Sequence, residues 1–180
     1  ALAFEILFDL GHGWGTKSPK SLEGFTLGLL EIVKREPRVR ESLESAIEKF
    51  DLAIASDPSF IFARYKLATT EIELGNYERA ITLLKPLSSL ERIEGITEFA
   101  ISYNLGVAYY HLTKDWAYEF AEKEFQKVVS GLSSFLFPMF FKNREKNQDR
   151  ELLALAYCGL ALVSAQRIGR DGGNADLYLD

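Results

Sequence analysis

Cysteine is nearly absent from the 180-residue sequence: Cys158 stands alone, beside two histidines and one methionine. A single cysteine excludes an internal disulfide framework and fits a reducing compartment. His12, His111 and Cys158 lack the spacing of ligands, so no metal site is read. Positive charge is also scarce, with 21 Lys and Arg against 26 Asp and Glu and a net charge of −5. Phosphate backbones are bound by an excess of Lys and Arg on one face, so a nucleic-acid partner is not expected. The longest apolar run, Leu152 to Val163, falls well short of the ~20 residues of a membrane span. A signal peptide is missing too. The chain opens on Ala1 rather than Met, so a fragment or a processed product is expected. The expected location is cytoplasmic, or the soluble part of a larger protein.

What is present describes a folded domain. Apolar residues make up 47% and charged residues 26%, a globular profile with a sizeable core. Near the start, an apolar segment (Phe4 to Leu10) is expected to be helical and leads into Gly11-His12-Gly13-Trp14-Gly15-Thr16-Lys17-Ser18. This stretch fits the phosphate-binding pattern G-x-x-x-x-G-K-[ST] except at Thr16, where the second glycine is required so that backbone can approach phosphate. Pro19 then removes one N–H from the anion site, and no strand follows to build a parallel sheet. Residues 1–18 therefore read as an apolar helix and a glycine-rich joint, and neither a nucleotide nor another cofactor is expected.

From residue 19 onward the periodicity is 3.6, that of helices. Ser18-Pro19 is a helix start, a hydroxyl cap before a proline at the first position. That helix should reach about Arg35, where Pro37 ends it, and the next should run to Ser56 with Leu43, Ala46, Phe50 and Ala53 on one face. Asp57-Pro58 stops it. Further helices are expected from about Ser59 to Leu74 and from Tyr77 to Leu87, with Gly75-Asn76 as the turn.

Internal similarity is the strongest pattern. Ala46, Phe50 and Ala53 recur 34 residues on as Ala80, Leu84 and Leu87, and again after 41 as Ala121, Phe125 and Val128. Leu67-Ala68 recurs as Leu105-Gly106. Small residues let two helices approach while large ones fill the gap, and stacked pairs bury what one pair cannot. At Leu67, Ala68, Gly75, Tyr77, Ala80 and Leu84, and again at Leu105, Gly106, Tyr109, Ala121 and Phe125, the sequence resembles the tetratricopeptide repeats. Asp57-Pro58 matches that family's closing proline, and Gly159 in "LAYCGLALV" gives a partial fourth match.

The resemblance implies an all-α fold, a right-handed superhelical stack of helical hairpins over residues 19–180. Its units would lie near 19–58, 59–94, 96–130 and, in part, 147–180, with an insertion at 130–150 and about three extra residues in the turn Thr113–Trp116. It also implies a concave face lined by the first helix of each unit. On this sequence the partner-binding positions are Phe62, Tyr65, Thr69 and Glu73 in one unit, and Tyr103, Val107, Tyr110 and His111 in the next, with Ile72 and Ala100 beside them. Tyr65 and Thr69 replace the Lys and Asn with which some family members clamp a C-terminal carboxylate, and only Asn104 remains. The groove should therefore suit a partner helix or a peptide with hydrophobic anchors. In a short array the same aromatics could instead pack on a neighbouring helix.

Other features read as structural. The stretch "FLFPMFF", Phe135 to Phe141, is expected to pack within the molecule, with peripheral membrane or partner contact as the alternative. Cys158 should be a small buried residue in an apolar helix. "DGGNAD", residues 171–176, lacks side-chain oxygens at the third and fifth positions of a calcium loop and reads as a turn. A nucleophile elbow and a His-Glu pair at helical spacing are both missing. The sequence thus points to a non-catalytic protein–protein interaction scaffold. The alternative is a regulatory or ligand-sensing domain of a larger signalling protein, and the oligomeric state stays open.

Overall fold

The computed structural model describes residues 16–33, 38–90, 98–136 and 147–171. The apolar segment Phe4–Leu10, the joint residues Gly11–Gly15, Phe137–Phe141 and the 172–176 part of the "DGGNAD" turn lie outside the described residues. Within them the protein is all-helical: α1 Pro19–Val33, α2 Val39–Ser56, α3 Ile61–Leu74, α4 Tyr77–Ser88, α5 Glu98–His111, α6 Asp115–Leu136 and α7 Asn147–Asp171.

The ends of the helices follow from local chemistry. Ser21 N–H donates to Ser18 Oγ at 3.2 Å, the cap that Ser18-Pro19 announces. Asp57 ends α2 in an extended conformation, and its Oδ1 accepts from the Ser59 N–H (3.0 Å) and hydroxyl (2.6 Å). That turn occupies Pro58 and Ser59, so α3 starts at Ile61 rather than Ser59. Gly75 closes α3 with φ 85°, a left-handed conformation that needs no Cβ, and its N–H reaches back to Glu71 and Ile72 carbonyls. Thr113, φ 54°, makes the turn between α5 and α6.

Two boundaries differ from expectation. The three extra residues between Leu105 and Ala121 mainly lengthen a helix rather than the turn: α6 starts six residues before Ala121, whereas α4 starts three before Ala80. Likewise, residues 130–136 continue α6, and 147–150 begin α7, so both ends of the expected insertion are helical. The reason is periodicity, since Phe125, Val128, Val129 and Leu132 keep one buried face across Ser130-Gly131.

The chain divides into two compact units, residues 1–101 and 102–180, with the boundary inside α5. In the first unit α2 packs on α1 and α3, and α3 on α4. Its core gathers Phe25, Ala46, Phe50, Ala53, Phe60, Ala63 and Leu67. The Phe25 ring meets Phe60 edge-on at 5.0 Å and Phe50 at 5.8 Å. At the α1–α2 crossing an added Cβ at Gly28 would stand 2.5 Å from the Phe50 ring. In the second unit α6 packs on α7. Phe125 of α6 lies between two glycines: a Cβ at Gly106 on α5, or at Gly159 on α7, would come within 2.7 Å of its ring.

Candidate functional site

The residues expected to bind a partner lie on α3 and α5, two helices of 14 residues each. Aligned with Ile61 of α3 against Phe99, the second residue of α5, their positions have the same degree of burial except at the pairs 64/102 and 74/112, the last just past the end of α5. Leu67-Ala68 and Leu105-Gly106 are buried. Tyr65 and Tyr103, Thr69 and Val107, and Ile72 and Tyr110 are half-buried, while Glu73 and His111 are exposed. The two sets fall in different units, each described by itself: Phe62, Tyr65, Thr69 and Glu73 in the first, Tyr103, Val107, Tyr110 and His111 in the second.

Several of these side chains have intramolecular neighbours. Phe62 packs on the core of the first unit. The Thr69 hydroxyl donates to the Lys66 carbonyl at 2.9 Å. Tyr103 lies against Phe125 with ring centres 5.9 Å apart, and burial, then the nearby Cys158, push its phenol above the ordinary tyrosine value. Tyr110 meets Tyr118 edge-on at 5.7 Å and His111 at 5.3 Å. Phe62 and Tyr103 thus serve partly as packing residues, the alternative that a short array allows.

The glycine-rich joint enters the described structure at Thr16, where its side chains have structural partners. Thr16 is buried, accepts from the Ser18 N–H (3.1 Å) and donates to Asp57 Oδ2 (2.6 Å). Hydrogen bonds from the Ser59 and Thr16 hydroxyls hold the Asp57 carboxyl below its ordinary range. Ser18 Oγ is occupied by the α1 cap, and Lys17 is exposed. The residue that breaks the phosphate-loop pattern therefore pins the start of α1 to the α2–α3 turn. Among the described residues, no three His, Cys, Asp or Glu side chains gather as a metal site requires. No helix there is long and apolar enough to cross a membrane. Cys158, expected in the core, is exposed: the buried side of α7 runs through Ala156, Gly159 and Val163, and Cys158 lies off it.

Two features escaped sequence reasoning. Glu71 is fully buried on α3, its Oε2 accepting from the Asn76 amide at 2.7 Å and its Oε1 lying 2.5 Å from Arg79 Nη1. Arg79 also grips Asp51 with both oxygens (2.9 and 2.7 Å), so one guanidinium joins α2, α3 and α4. Arg79 lies 8 residues from Glu71 and 28 from Asp51 in sequence, on a different helix from each, so no helical periodicity marks these contacts. The second is an aromatic group on the added first turn of α6. Trp116 and Phe120 are half exposed, Phe120 stacks on the buried Tyr109 at 5.3 Å, and Lys114 lies 6.0 Å over Trp116.

Compared with protein-family models, curated proteins and solved structures, the chain matches none.

Proposed function

We propose that this protein is a non-catalytic interaction module whose hairpins stack as a right-handed superhelix of the tetratricopeptide kind. A partner peptide or helix would lie along the residues shared by α3 and α5. The observation that carries the reading is the match in burial between those two helices. Equivalent positions hold Tyr65 and Tyr103, Thr69 and Val107, Ile72 and Tyr110, all half-buried and none charged. A rigid helix that presents half-exposed aromatic and aliphatic side chains at fixed spacing offers anchor points with little entropy to lose. The exposed ends, Glu73 and His111, would border the apolar strip and set the polarity of the partner's flanks.

Peptide display against the 180-residue chain tests the proposal. Selected peptides should share apolar anchors, and Tyr65→Ala or Tyr110→Ala should weaken their binding about tenfold, or about 1.4 kcal/mol each. Lys123→Ala, on α6, should leave it unchanged. Peptides indifferent to both tyrosines would refute the assignment of this face.

A further inference from the structure

We draw no further inference here: the strongest candidate, the half-exposed aromatic patch of Trp116 and Phe120 at the start of α6, is flanked by charges of both signs (Lys114, Asp115 and Glu119), and nothing in the structure shows what covers it.

Discussion

Arg79 carries more of the first unit than its half-exposed position suggests. It holds Asp51 with two hydrogen bonds and faces the buried Glu71, whose other oxygen is held by Asn76. A carboxylate without solvent depends on such partners, because its desolvation is repaid only by charge and hydrogen bonds at close range. Arg79→Met keeps most of the aliphatic stem and removes the charge. It should cost about 3 kcal/mol in urea denaturation, the low end for breaking a buried pair, since water can reach the vacated side. Adding Glu71→Gln should recover part of that loss, because a neutral amide no longer needs a cation. A double variant no more stable than Arg79→Met alone would show that the ion pair is not what Arg79 contributes.

Among the elements, the size of one side chain predicts the size of its opposite number. Where α2 and α6 carry Phe50 and Phe125, the facing helices carry Gly28 and Gly106. Where α4 carries Leu84, the corresponding place on α3 is Ala68, and both are fully buried. A phenylalanine ring needs the space of a missing Cβ, while a leucine leaves room for a methyl. Gly106→Ala should therefore destabilise by about 1–3 kcal/mol through overpacking, although alanine is the better helix former by up to about 1 kcal/mol. Phe125 cannot retreat, because Gly159 meets its other face. Pairing Gly106→Ala with Phe125→Leu copies the solution found at Ala68 and Leu84. The double variant should then be more stable than the sum of the two single changes, as a thermal double-mutant cycle would read. Strict additivity would show that the two positions do not compete for one space. The same rule explains what could be read in advance. Helix existence, the Ser18-Pro19 start, the Asp57-Pro58 stop and the Gly75 turn follow from local chemistry. The Ala and Phe faces follow from period. Gly28 passed unnoticed because Pro37 obscured the first pair, and the Arg79 contacts because long-range ion pairs leave no periodic trace. Cys158 was misplaced because α7 is apolar on both sides, so hydropathy alone does not tell the buried side from the exposed one.

At the scale of the molecule, the two compact units each have their own phenylalanine at a glycine crossing, Phe50 in residues 1–101 and Phe125 in residues 102–180. Phe125 is the hub of the second unit, touching α5 through Gly106 and Tyr103 and α7 through Gly159. Phe125→Ala removes a ring whose surroundings are three helices, and a buried phenylalanine lost in this way costs about 3–5 kcal/mol. The loss should be regional if the units are separately cooperative. Native-state hydrogen exchange then reads it directly. Amides in α6, in α7 and in α5 after Ile101 should lose protection, while those in α1, α2 and α3 keep theirs. Uniform loss across all helices would mean that the 180 residues unfold as one body, and the division inside α5 would then be geometric only.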